Sequence, residues 1–267
     1  MHPFIQIYNF ESKTWSTPGN HTEDTSDNAA FADDDYVYVV GGYNTSYTAR
    51  TSVWRIASDS VDSVKIESVA PLQVARGDIR AVANDKGLAF VVSGFTDQNE
   101  FCAPLPVVEM YEIASDTWTF LDDVKSPGGD KALVELDGHV FAIGGEDQVD
   151  PTCSPTVDPP DPGEATVALD DVEMLDESGA WTTVASIPDA RFRFDAEAVG
   201  SQIFVFGGQN AYDKTCQCYS ASSEILVSTE VHSPSSAPGG GPTKSSAQYN
   251  SVIAAFMCVA IGVAGLA

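Results

Sequence analysis

A chain of 267 residues with 39 acidic against 13 basic side chains carries a formal charge of −26. Nucleic-acid binding rests on Lys and Arg displacing counterions from phosphates, so no nucleic-acid partner is expected. Its four histidines, His2, His21, His139 and His232, stand apart from one another and from the cysteines, so no metal and no cofactor is expected.

In chain order the sequence alternates two kinds of hairpin. "IYNFESKTW" from Ile7 places Tyr8 and Trp15 on either side of a polar turn. "AAFADDDYVYVV" turns at Asp33–Asp35 and runs into Gly41–Gly42. "VWRIASDSV" from Val53 reads as a second copy of the first hairpin, with Trp54 and Val61 in the ring positions. "LAFVVSGF" from Leu88 ends in Ser93–Gly94, and "MYEIASDTW" from Met110 follows with Tyr111 and Trp118. "ALVELDGHVFAI" turns at Asp137–Gly138, a pair suited to a tight hairpin, and meets Gly144–Gly145. "MLDESGAW" from Met174, "IFVFGGQ" from Ile203 and "EILV" from Glu224 complete the series, the last echoing "EMY" at Glu109 and "EML" at Glu173. The second glycines, Gly42, Gly94, Gly145 and Gly208, recur at intervals of about fifty to sixty residues, the mark of a repeat array.

An aromatic strand, a glycine pair, a variable loop, Tyr and then Trp resemble the kelch repeat. The resemblance covers roughly residues 4–231. It implies an all-β, kelch-type β-propeller of four-stranded antiparallel blades around a channel. Full units are expected at about 28–66, 76–121 and 130–184, with innermost strands near Ile79–Ala83, Ala132–Leu136 and Phe194–Val199. The start supplies only a third and a fourth strand, Phe4–Tyr8 and Thr14–Trp15, and the end supplies three. That makes four to five blades and an incomplete ring, expected to self-associate through its open edges.

Cys102, Cys153, Cys216 and Cys218 all fall in loops between a glycine pair and the next strand. Clustering in loops points to disulfides and an oxidising compartment, with free thiols or a zinc cluster as the alternatives. Among the possible pairings, Cys216–Cys218 is the least expected, because one residue separates them. Sequons at Asn20 and Asn44, both in expected loops, are candidate glycosylation sites. Residues 232–250, rich in Pro, Gly and Ser, read as a stalk, and residues 251–267 as a hydrophobic tail without a charge. This layout suits a GPI signal with attachment at Gly239, Ser235 or Ser236. A transmembrane anchor and a buried helix are the alternatives. "MHPFIQIYNFESKTW" is no signal peptide, so further sequence is expected upstream.

The expected function is a cell-surface or secreted binding module, not an enzyme, that recognises a protein or glycan through its loops and meets a membrane through its tail. The loop Glu146–Leu169 is the longest candidate contact. In related substrate-adaptor propellers an arginine near the innermost strand lines the channel. That resemblance implies ligand contacts at Arg80 and Arg193, with Asp130 and Asp27 at the matching positions. Salt bridges between blades are the competing reading of the same residues. An enzyme using the channel mouth and an intracellular adaptor are the alternative functions.

Overall fold

Alternation of apolar and polar residues, cut by turns rich in Asp, Asn and Gly, makes each strand short and antiparallel to its neighbours. The computed structural model describes residues 4–228 apart from 22, 59–63, 149–165, 214, 217, 223 and 224. These fall in one compact unit, Met1–Val231; a second unit, His232–Ala267, lies outside them. The expected stalk, the hydrophobic tail, Ser235, Ser236, Gly239 and Cys153 therefore lie outside the described residues, as does most of Glu146–Leu169. Among the described residues, no helix is long and apolar enough to cross a membrane.

The first hairpin is β1 (Phe4–Asn9) and β2 (Thr14–Asn20). Blade 1 is β3 (Ala29–Ala32), β4 (Tyr36–Val40), β5 (Val53–Ala57) and β6 (Ile66–Val69). Blade 2 is β7 (Arg80–Ala83), β8 (Leu88–Val92), β9 (Val108–Glu112) and β10 (Thr117–Phe120). Blade 3 takes β11 (Ala132–Leu136) and β12 (His139–Ile143), then β15 (Val172–Leu175) and β16 (Trp181–Thr183). Between them stands a separate hairpin of β13 (Glu146–Gln148) and β14 (Thr166–Ala168). Blade 4 has three strands, β17 (Asp195–Val199), β18 (Gln202–Phe206) and β21 (Ile225–Val227), around a hairpin of β19 (Gln209–Asp213) and β20 (Cys218–Ala221). The first strands β3, β7, β11 and β17 neighbour one another in that order. The two inserted hairpins were not anticipated from sequence.

Register corrects two alignments. Ile56, not Trp54, stands where Tyr111 and Leu175 stand, because Val53, Val108 and Val172 share one position opposite the end of the second strand. Trp54 therefore occupies the place of Glu109 and Glu173, and the repeated "IASD" is out of phase by two residues. Likewise Ile225 takes the place of Val108, so it is Leu226 rather than Glu224 that matches Glu109.

Each pair of neighbouring blades encloses a core. Val40, Val53, Phe31 and Tyr38 meet Ile79, Ala89, Val91 and Tyr111 between blades 1 and 2. Phe90, Val92 and Val108 meet Leu133, Val140 and Trp181 between blades 2 and 3. Ile143 and Val172 meet Phe194, Ile203 and Val205 between blades 3 and 4. The tryptophans also anchor the connections: Trp118 Nε1 donates to Ala70 O (2.8 Å) and Trp181 Nε1 to Asp122 O (3.0 Å). Glu109, fully buried, accepts from the amides of Gln73 (2.7 Å) and Val74 (3.2 Å) and pairs with the buried Arg76 guanidinium (3.1 Å). Glu173 does the same for the amides of Lys125 and Ser126. Buried carboxylates with this many donors satisfy the rule that buried charge must be paired.

The glycine pairs explain themselves at the blade seams. Both residues of each pair take left-handed angles: φ 59° and 88° at Gly41 and Gly42, 60° and 99° at Ser93 and Gly94, 52° and 108° at Gly144 and Gly145. The first amide donates within its own blade, from Gly41 to Ser52 O (2.9 Å), Ser93 to Val107 O (2.9 Å) and Gly144 to Asp171 O (2.8 Å). The second donates to the next blade, from Gly42 to Arg76 O (2.9 Å), Gly94 to Gly128 O (3.3 Å) and Gly145 to Arg191 O (2.8 Å). Ser93 takes the first position of the pair in blade 2. Its hydroxyl donates to Leu105 O (2.7 Å) and accepts from Gly128 N (2.7 Å).

A methyl group at Gly42 would lie 2.4 Å from Ser26 O, whereas at Gly87 (φ 75°) nothing stands within 4 Å. Gly42→Ala is expected to cost more than about 3 kcal/mol, and Gly87→Ala only its left-handed angle, roughly 1–2 kcal/mol. Urea unfolding of the two variants checks this; equal losses would contradict the seam geometry.

Candidate functional site

Each blade enters the ring through a residue with a left-handed backbone: Asp27 (φ 52°), Asp78 (52°), Asp130 (48°) and Arg193 (53°). Their equivalence follows from the bridges just before them, Ser26 to Tyr43, Gly77 to Phe95, Gly129 to Glu146 and Phe192 to Gln209. Aspartate tolerates this angle better than most side chains. Peptide groups link the entries across blades, from Asp130 N to Asp78 O (2.8 Å) and Arg193 N to Asp130 O (3.3 Å).

Arg80 is not the counterpart of Arg193; Asp78 is. Arg80 pairs with Val92 in the place of Ala29, Ala132 and Asp195. Blade 2 turns through three residues, Asp85–Gly87, where blade 3 turns through two, Asp137–Gly138, so its entry lies fifteen residues before Ser93 where Asp130 and Arg193 lie fourteen before Gly144 and Gly207. Even so, the structure brings Arg80, Arg193 and Asp130 together. Asp130, almost fully buried, accepts from Arg80 Nη1 (3.3 Å) on one oxygen and Arg193 Nε (3.0 Å) on the other. Glu146, also buried, lies 3.7 Å from Arg193 Nη2. Tyr43 Oη donates to Asp78 Oδ2 (2.9 Å), and its ring covers Gly77, where a methyl group would meet it at 2.4 Å. Both arginines are thus inter-blade partners of Asp130, and each stays about one-third to two-fifths exposed at the rim (34% and 44%).

Three carboxylates converge here. One oxygen each from Asp78, Asp130 and Glu146 lies within 4.8 Å of the others, the arrangement among the described residues best suited to hold a cation, although two guanidiniums already neutralise Asp130. Burial, then the charges of Asp130 and Asp27, push the Asp78 carboxyl well above its ordinary value. Burial raises Glu146 to about 7, with Asp130 adding to the effect and Arg193 opposing it. Burial alone would lower the Arg193 guanidinium, but Glu146 and Asp130 more than offset it and raise it. Beside the cluster, burial lowers Lys131 to about 8, opposed by Glu173 and Asp171, while its ammonium donates to Gly144 O (2.6 Å). Asp78, Glu146 and Tyr43 were missed in the sequence; the aspartates that follow Ser26, Gly77 and Gly129 were the available signal.

The remaining candidates separate. Cys216 and Cys218 are disulfide-bonded, contrary to expectation, because the β19–β20 turn brings their Cα atoms to 5.3 Å. Cys102 is also in a disulfide, its partner lying outside the described residues. Asn20 is the exposed last residue of β2 rather than a loop residue. Asn44 sits in a turn, its side-chain oxygen accepting from Ser46 N and Thr48 N (2.9 Å each).

The raised Glu146 value has a consequence for stability. Between about pH 4.5 and 7 the folded chain holds a proton that the unfolded chain has lost. Stability therefore falls as pH rises through that window and stays lower above it, by on the order of 3 kcal/mol at most. Glu146→Gln is expected to match wild type near pH 4.5 and to be more stable at pH 8 by on the order of 1–3 kcal/mol. Urea midpoints at the two pH values read this; an unchanged difference between them would contradict it.

No family model matches the chain. It is 22% identical over 206 residues to "Kelch repeat and BTB domain-containing protein 1" of camelpox virus, covering 77% of this chain and 32% of that protein. It is 26% identical to mouse "Kelch-like protein 35", covering 77% and 31%, and 30% identical to mouse "Kelch-like protein 40", covering 42% and 17%. The chain thus spans about a third of the length of the first two of these relatives. The solved structure of YjhT superposes with a TM-score of 0.63 at 13% identity, over 85% of this chain and 77% of that one. The fold is thus a β-propeller of four-stranded antiparallel blades, and the chain resembles the kelch-repeat proteins among these relatives.

Proposed function

We propose that the chain is a binding module displayed at a cell surface, which recognises a protein or glycan partner through the loops that follow its glycine pairs. One observation carries this reading. On those loops, large side chains are held in left-handed backbone, Tyr47 (φ 57°, 62% exposed) and Phe101 (φ 58°). Such angles cost about 1–3 kcal/mol each and persist where the surroundings enforce them. Here Tyr43 holds both rings at centroid distances of 6.2 and 5.5 Å, and Ala49 N donates to Asp97 Oδ1 (2.8 Å), tying one loop to the next. A second aromatic group, Tyr212, Tyr219 and Phe192, stands at the blade 4 loop. The kelch names of the relatives support a protein partner. Disulfides at Cys102 and at Cys216–Cys218 support an oxidising compartment. The apolar residues 251–267 then either serve as a GPI signal, removed when a lipid is attached near Gly239, Ser235 or Ser236, or hold the module to a membrane as a span.

Capture of partners from extracellular protein and glycan mixtures tests the reading. Tyr47→Ala combined with Phe101→Ala is expected to weaken capture at least about tenfold, while Lys86→Ala, in a turn at the opposite end of the strands, leaves it unchanged. Equal effects of the two would end the loop-face reading. Thiols of cell-derived protein that alkylate without reduction would favour an intracellular adaptor. An enzymatic reading has one observation in its favour, the Glu146 carboxyl near 7 beside Arg193, a setting suited to proton transfer. Loss of ligand turnover in Glu146→Gln with capture intact would move the function there.

A further inference from the structure

The Cys216–Cys218 disulfide closes a loop with a single residue between its ends. A cross-link stabilises a fold through the freedom it removes from the unfolded chain, and that effect grows with the length of the loop it closes. A loop this short removes little. Cys102 differs. With Cys216 and Cys218 paired to each other, the cysteines left to it are Cys153 and Cys258, both far along the chain.

The hairpin around the short bond is held by other contacts. Gln209 pairs with Ala221, Tyr212 with Tyr219 and Asp213 with Cys218 across β19–β20. The Tyr219 ring meets Tyr212 at 5.2 Å and Phe192 at 5.3 Å. Phe192 and Gln209 exchange backbone hydrogen bonds of 2.9 Å each. The Asp213 carboxylate supports the turn by accepting from Thr215 N (2.7 Å). None of these contacts runs through sulfur. By linkage, a bond that adds little to the fold receives little protection from it. Both cysteines are exposed, and exposed disulfides are the labile ones that take part in exchange.

We propose that Cys216–Cys218 is a thiol–disulfide exchange site whose substrate class is a dithiol. The site is independent of what the loop face recognises. One thiol of the dithiol gives its proton to water and attacks Cys216 Sγ, in the turn. A new sulfur–sulfur bond forms, the Cys216–Cys218 bond breaks, and Cys218 Sγ leaves as a thiolate that takes a proton from water. The second thiol, deprotonated in the same way, attacks its own partner sulfur in the mixed disulfide and expels Cys216 Sγ, which is protonated in turn. The dithiol loses two electrons and closes to a disulfide. The protein gains both electrons and holds two thiols. A monothiol stops short of this, because the Cys218 thiolate stands beside the mixed disulfide and expels the monothiol before a second one arrives.

Timed reduction of the oxidised, folded full chain tests this. Dithiothreitol serves as a small dithiol and reduced thioredoxin as a protein dithiol. Free thiols are trapped by alkylation and mapped by mass, with folding followed by circular dichroism. With dithiothreitol, Cys216 and Cys218 are expected to alkylate together while the chain stays folded. Their rate is expected to lie within about tenfold of that in an oxidised synthetic peptide of residues 209–221, and ahead of Cys102. Reaction with thioredoxin as well places protein dithiols among the substrates; reaction with dithiothreitol alone confines them to small molecules. Cys216→Ser combined with Cys218→Ser is expected to keep the wild-type urea midpoint. A bond that opens more slowly than that tenfold limit, no faster than Cys102 or only with unfolding overturns the proposal. So does a clear fall in the urea midpoint of the double variant, which would make the bond a structural staple.

Discussion

Two consecutive left-handed residues at the end of each second strand set the geometry of this protein. They turn one amide inward to the same blade and the next outward to the neighbouring blade, so a single local conformation fixes both the strand-to-loop exit and the spacing between blades. Only residues that tolerate positive φ hold both positions, and the neighbouring backbone stands too close to the second for a side chain. Ser93 shows how the rule yields. The first position takes a side chain, and its hydroxyl donates to Leu105 O in its own blade and accepts from Gly128 N across the seam.

Once blades are spaced in this way, their entries fall close enough to interact at the rim. Aspartates suit the left-handed entries of blades 1, 2 and 3, and stacking brings their charges together with Glu146. Arg80 and Arg193 clamp Asp130 from either side and hold blades 2 and 4 to blade 3. Three carboxyl groups against two guanidiniums leave excess negative charge in a poorly hydrated space, which is why Glu146 and Asp78 retain protons more strongly than usual. The rim is thus a structural clamp in which burial, first, and neighbouring carboxylates hold the Asp78 and Glu146 carboxyls above their ordinary range.

The blades were legible in the sequence because their signals are local. Glycine pairs, Asp–Gly turns and Tyr–Trp hairpins each lie within about ten to fifteen residues, and the expected inner strands Ala132–Leu136 and Phe194–Val199 agree with β11 and β17 to within a residue. Phase within a blade was harder to read. One additional turn residue before Leu88 moved the blade 2 entry to Asp78, and the pairing of Val53 with Val40 put Trp54 where Glu109 belongs. The rim cluster was least legible, since Tyr43, Asp78, Asp130 and Glu146 meet only through the stacking of separate repeats. The Cys216–Cys218 bond was misjudged from chain separation alone; the fold of the β19–β20 turn decided it.

Native-state hydrogen exchange at the second glycines tests the seam most directly, at a concentration where the chain is monomeric. The amides of Gly42, Gly94 and Gly145 donate across a seam; that of Gly208, in the same conformation, meets no following blade among the described residues. The first three are expected to exchange only with global unfolding, and Gly208 at a rate near that of open loops. Equal protection at all four, or rapid exchange at Gly42, Gly94 and Gly145, would contradict the account.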